Sequence, residues 1–291
     1  MNNSETTVLE NKNSSLSSST NTAKEMGILD HLEELRWHVI RAVLAILVFT
    51  AVAFVAKDIV FGKIILGPSK INFLTYQFFC QLSDITCIDS LPFILQNRVM
   101  TGQFTMHIAA SIAFGFMCAF PYVFWEIWRF VAPALYNDER HVARGATFFV
   151  SLLFAIGVFF GYFLITPLSI NFLSNYQVDA TILNEIDISS YVTTVAMLTL
   201  GCGLMFQLPI VVFFLSQVGI VTPELMRAYR KHSIVVILFI SALITPPDVI
   251  SQALIGIPIW ILYEISILIS ASIQKKRNLA IAKAEKLRQV K

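Results

Sequence analysis

The apolar segment SIVVILFISALIT, residues 233–245, runs directly into TPPD, Thr245 to Asp248. It is too apolar for a surface loop, yet shorter than the roughly 20 residues needed to cross a hydrocarbon core about 30 Å thick. The prolines stop it, because proline has no amide donor and disfavours helix at the residue before it. The chain then returns through a second apolar stretch, interrupted by Gly256 and Pro258. These features predict a tight hairpin of two helices, 232–245 and 249–272. Four longer apolar runs precede it, at 37–57, 104–128, 146–168 and 191–217. The expectation is an all-α integral membrane protein of six transmembrane helices, the last two forming a short hairpin.

Composition excludes the soluble alternative. Of 291 residues, 56% are hydrophobic and only 14% charged, too little polar sequence to cover a core of this size. A net charge of +2 gives no bulk attraction for nucleic acid, so the placement of the charges is what matters. Residues 1–25 are rich in Ser, Asn and Thr, lack an apolar core, and read as a disordered tail rather than a secretory signal. The membrane domain then covers 26–273, and a basic tail covers 274–291. Basic residues cluster at one side of the spans: Arg36 and Arg41, Arg129, Arg140 and Arg144, Arg227, Arg230 and Lys231, and the tail from Lys275. The opposite side has four basic residues in its first loop, only acids in its second, and Asp248 in its third. The positive-inside rule therefore predicts both termini in the cytoplasm, in keeping with an even number of spans.

Several polar residues need a reason. In DHLEELRWHVIR, residues 30–41, Asp30 and Glu33 have capping-box spacing, which gives Glu33 a structural task but leaves Glu34 without one. A surface pair with His38 or plain solvation is the modest alternative for Glu34. In the loop RFVAPALYNDERHVARG, residues 129–145, Asn137 or Asp138 can cap the next helix and put Glu139 in its first turn, where the helix dipole favours an acid. Glu34 and Glu139 are also suited, as a pair at one membrane surface, to receiving guanidinium groups in bidentate fashion. Glu264 lies well inside the last apolar run, where a carboxylate must be protonated, paired or wetted. Gln207, just before Pro209, also needs partners, and a bundle-holding hydrogen bond is an equally good account of it. Glu126 and Arg129 have i,i+3 spacing and read as a structural pair. Cys80 and Cys87 lie in the first outer loop and are expected to be bonded to each other. The histidines show no metal-binding spacing, and no nucleotide-binding or nucleophile motif occurs, so neither metal, cofactor nor enzymatic activity is expected.

HLEELR (31–36), APALYNDER (132–140), FQLP (206–209), TPPD (245–248) with Ser251 and Gln252, and IPIWILYE (257–264) occur in the order seen in the TatC subunits of the twin-arginine translocase, and the chain resembles that family over roughly 26–273. The resemblance implies a glove-shaped bundle that binds twin-arginine signal peptides of folded proteins. It also implies export of those proteins with small single-span TatA/TatB-type subunits, in a homo-oligomeric receptor complex driven by the proton-motive force. Carried over by motif, it gives Glu34 and Glu139 the signal-peptide arginines, with Arg36 and Arg140 shaping the same surface. Gln207 and Glu264 match intramembrane polar positions, with an amide at 207 where many members carry an acid. Asp248 and Pro68 match positions in the outer turn and cap. The first loop is longer than usual, and the expected disulfide belongs to that extension. A secondary transporter that uses Glu264 and Gln207 is the competing reading, opposed by the lack of an internal repeat or paired interrupted helices.

Overall fold

The structure, a computed structural model, describes residues 28–82, 87–88, 91–131, 140–179, 181–182, 184–245 and 249–289. In chain order the elements are α1 (Ile28–Val55), α2 (Leu74–Leu82), β1 (Ile94–Gln96), α3 (Gly102–Val131), α4 (Arg140–Phe160), α5 (Thr166–Asn175), β2 (Glu185–Asp187), α6 (Ile188–Met205), α7 (Leu208–Val218), α8 (Pro223–Ala228), α9 (Arg230–Ile244) and α10 (Val249–Gln289). Helices dominate because each satisfies its own backbone hydrogen bonds, as a hydrocarbon environment requires.

Among the described residues the expected count of six spans is corrected to five. Glu33–Val55, Gly102–Phe130, Thr147–Asn175, Ile188–Val218 and Gln252–Lys283 are long and apolar enough to cross a membrane. The segment expected at 232–245 forms α9, which has 15 residues and so rises only about 22 Å. That is short of a hydrocarbon core about 30 Å thick. The even-number support for placing the termini lapses with this change. Pro246 to Asp248, the predicted hairpin turn, lie outside the described residues. The C-terminal end of α9 packs on α6, where a Cβ on Gly201 would lie 2.6 Å from Ile244 Cγ2, and Leu243 to Thr245 border a surface pocket shared with Ser189, Ser190 and Thr193. Gln252 Nε2 of α10 donates to the Leu238 carbonyl at 2.8 Å, so α9 and α10 lie side by side. Helix α10 does not stop near residue 273 but runs 41 residues from Val249 to Gln289.

Helix α1 packs antiparallel to α3 through one stripe. Glu34, His38, Ala42, Thr50 and Ala53 are buried or half-buried, while Val39, Val43, Leu47, Val48 and Val52 are exposed on the outer face. The helices approach closely at Gly115, where a Cβ would lie 2.6 Å from the Thr50 backbone nitrogen. Near the other end of this contact, Phe54 stacks on His107 with ring centroids 4.2 Å apart. Helix α6 meets α4 in the same way. A Cβ on Gly157 would lie 2.8 Å from the Cys202 carbonyl oxygen, and one on Gly161 would lie 2.9 Å from that of Leu198. Without a hydrophobic drive between helices in lipid, such small-residue contacts supply the packing.

The loop after α1 forms a cap held by tyrosines. Residues Val60–Ile65 and Gly161–Ile165 are π-helical, which leaves carbonyls without regular partners. Tyr162 donates its hydroxyl to the Ile64 carbonyl at 2.6 Å, and Tyr191 donates to that of Ile65 at 2.8 Å. Tyr76 donates to the carbonyls of Pro68 and Pro167 at 3.0 and 3.1 Å. Burial pushes the Tyr76 phenol well above its ordinary value of 10.0. On the same side, β1 and β2 form a short parallel pair with Ile94 opposite Glu185. Cys80 and Cys87 form a disulfide that closes the loop following α2.

Candidate functional site

The basic end of the bundle is built around the start of α1 and the end of α3. Helix α1 is described from Ile28, and Asp30 already lies within it and not at the predicted cap position. Glu34 is half-buried on the stripe facing α3, whereas Glu33, Leu35, Arg36 and Trp37 are exposed. Among the described residues no hydrogen bond or ion pair engages the Glu34 carboxylate. The alternative pairing with His38 is not made, because His38 is taken by another acid. Its Nδ1 lies 2.5 Å from Glu126 Oε2 on α3.

Glu126 was read from the sequence as the partner of Arg129 alone, and this pair exists, with Arg129 Nη1 3.7 Å from Oε1. The structure adds three partners that the spacing did not reveal. Besides His38, the Tyr122 hydroxyl donates to Oε1 at 3.0 Å, and Arg41 Nη1 lies 3.9 Å from Oε2. Glu126 is 1% exposed and His38 7% exposed. A carboxylate this buried persists only with such a set of donors. The i,i+4 pair Tyr122/Glu126 was the available sequence signal. The His38 contact crosses between helices and had none. Arg129 also lies over the Trp125 ring, 4.8 Å from its centroid.

One turn further along α3 from this cluster, α3, α4 and α6 line an open cavity of about 420 Å³. Met117, Pro121, Phe154, Phe159 and Tyr162 line it, with Thr199 among its few polar groups. The Thr199 hydroxyl is buried and has no hydrogen-bond partner among the described residues.

The other expected site residues are scattered. Glu139 and Asp248 lie outside the described residues. Arg140 opens α4, and the description of this segment does not extend to its side chain. Gln207 occupies the turn between α6 and α7, where Pro209 cannot donate to the helix before it. Its Nε2 donates to the Val150 and Gly203 carbonyls at 3.4 and 3.5 Å, while its buried Oε1 finds no partner among the described residues. Glu264 is paired: Arg230 Nη2 at the start of α9 donates to its Oε2 at 2.7 Å. Pro68 is fully buried in the tyrosine-held cap.

Residues 30–258 match the family model of the Sec-independent protein translocase protein TatC. A TatC of Blattabacterium sp. subsp. Periplaneta americana is 35% identical over 264 residues, covering 88% of this chain and 99% of that protein. The TatC of Aquifex aeolicus is 33% identical over 256 residues, covering 87% and 98%. A crystal structure of the twin arginine translocase receptor TatC superposes with a TM-score of 0.69 at 31% identity, covering 84% of this chain and 99% of that one. With a family model matched over most of the chain, and relatives matched over nearly their whole length, this chain belongs to the TatC family, as a non-catalytic, multi-pass inner-membrane subunit of Sec-independent protein export.

Proposed function

We propose that this chain is the receptor for twin-arginine signal peptides, and that Glu34 and Glu139 receive their two guanidinium groups at the basic end of the bundle. The observation that carries the proposal is the state of Glu34. It is half-buried on the inner face of α1 and unpaired among the described residues, while the histidine one turn away is already bound to Glu126. An acid in that state can accept a planar cationic fork, and Lys cannot reproduce the bidentate geometry. The apolar cavity beyond the cluster supports a second contact, with the hydrophobic segment that follows the arginines. Arg36 and Arg140 flank this entry.

On this reading the basic end faces the cytoplasm, with both terminal segments on that side. Arg41, Arg129, Arg227, Arg230 and Lys275 support that orientation. Small single-span TatA/TatB-type subunits are the partners, and the turn carrying the incompletely bonded Gln207 is the place on the wall for one of them. Several copies assemble into the receptor complex, and transport draws on the proton-motive force.

The test is photo-crosslinking of a twin-arginine peptide and its Lys-Lys version to the full chain in membranes. Each charge-assisted hydrogen bond contributes about 1.5 to 3 kcal/mol, so Glu34→Gln should lower the twin-arginine yield by about tenfold and leave the Lys-Lys background unchanged. Glu139→Gln should do the same. Undiminished yield in both variants refutes the assignment.

A further inference from the structure

We infer that His38 and Glu126 are positioning residues, a buried latch that sets the rotation of α1 about its own axis and thereby aims Glu34. The inference rests on the receptor reading above and deepens it.

Its ground is what holds α1. The outer face of this helix is aliphatic and exposed, with Val39, Val43, Leu44, Leu47, Val48 and Val52 each between 47% and 62% accessible. In lipid such a face does not resist rotation, because acyl chains are as apolar as the protein surface they replace. Orientation must come from close packing and from polar contacts. Close packing is supplied in the second half of the helix, where Thr50 meets Gly115 and Phe54 stacks on His107. In the first half the polar contact is His38. Among the described residues, all side-chain hydrogen bonds and ion pairs from α1 to another element end on Glu126.

Glu34 precedes His38 by four residues, so both lie on one face, about 6 Å apart along the axis. A one-residue rotational error, about 100°, would carry Glu34 from the inner face to the flank occupied by the exposed Leu35. Glu126 sits on the helix whose chain continues to Glu139. The latch joins α1, which carries Glu34, to α3. Glu126 cannot itself serve as an acceptor, since it is 1% exposed and is ringed by His38, Tyr122, Arg41 and Arg129.

The experiment measures twin-arginine and Lys-Lys peptide crosslinking to the full chain in membranes, with the thermal midpoint of the same proteins in detergent. The variants are His38→Ala, Glu126→Gln, the exchange His38→Glu with Glu126→His, and Glu34→Gln as the reference. The single latch variants should lower twin-arginine yield by about tenfold, the weight of one charge-assisted contact, and bring the ratio to Lys-Lys toward one. The exchange should recover most of the loss, because it restores the pair with its ends reversed. Full twin-arginine yield in the latch variants, with Glu34→Gln deficient, overturns the latch and spares the receptor reading. A fall in yield with the twin-arginine to Lys-Lys ratio intact also overturns it, since that marks general loss of packing. Full yield in Glu34→Gln removes the receptor reading and the latch with it. If the latch variants do not accumulate, Tyr122→Phe, which deletes one donor to Glu126, carries the test. It should lose discrimination about threefold, and unchanged discrimination overturns the latch.

Discussion

Glu34 and Glu126 show how little a one-dimensional pattern says about the fate of a carboxylate. The motif around Glu34 marked it for a role at the surface, and the fold leaves it half-buried on the inner face of α1 with no partner among the described residues. Glu126 looked like half of a local pair, yet it is the most buried acid of the described chain and binds across to α1. The difference lies in His38, whose partner is far away in sequence and near only after two helices pack. Glu264 is the reverse case. The sequence required this intramembrane acid to be protonated, paired or wetted without saying which, and the tertiary contact with Arg230 supplies the pair. Tyr76 yields a prediction at this scale. The folded protein holds its phenol above the ordinary value of 10.0 and the unfolded chain does not, so this group's contribution is complete below about pH 10 and is lost as pH rises beyond that. Thermal midpoints of the parent should therefore fall steeply above pH 10. Tyr76→Phe should show a shallower alkaline fall. It should also be less stable by about 1 to 3 kcal/mol at neutral pH, because the Pro68 and Pro167 carbonyls lose their donor.

Among elements, the long helices were evident from uninterrupted apolar runs, and their pairing was not. Helices α4 and α6 meet through Gly157, Gly161 and Gly203, which sit unremarkably in apolar sequence until the backbones are brought together. Gly161→Leu should push α6 off α4. The expected outcome is destabilisation by about 1 to 3 kcal/mol, read as a lower thermal midpoint in detergent, with Gly62→Leu as a neutral control. Position 62 is suitable because a Cβ there meets nothing within 4 Å. The π-helical segments were also invisible beforehand. In Val60–Ile65 the carbonyls of Ile64 and Ile65 are taken up by Tyr162 of the other π-helical segment and by Tyr191 of α6, and no periodicity encodes that. The disulfide was accessible from the sequence, since two cysteines only 7 residues apart in one loop leave few alternatives.

For the whole molecule, α9 is the element on which the sequence reading and the structure part. It was counted as the fifth of six spans, and at 15 residues it is too short to be one. It is held instead by neighbours: Gln252 reaches its backbone, and Arg230 at its start pairs with Glu264 of α10. Arg230→Gln should leave Glu264 unpaired inside the apolar part of α10 and lower the thermal midpoint. The double variant Arg230→Gln with Glu264→Gln should be closer to the parent. Because both side chains are partly exposed, the difference between single and double variants should be about 1 kcal/mol. Composition and hydropathy were enough to establish a helical membrane protein, and motif order was enough to reveal its family, because transfer from water and chemical identity at a position are properties of the chain itself. The number of spanning helices, the rotation of α1 and the partners of Glu126 and Glu264 were decided only by the fold. Each depends on which groups from remote segments lie within hydrogen-bond reach, and lipid supplies no hydrophobic drive that would write those choices into the apolar pattern.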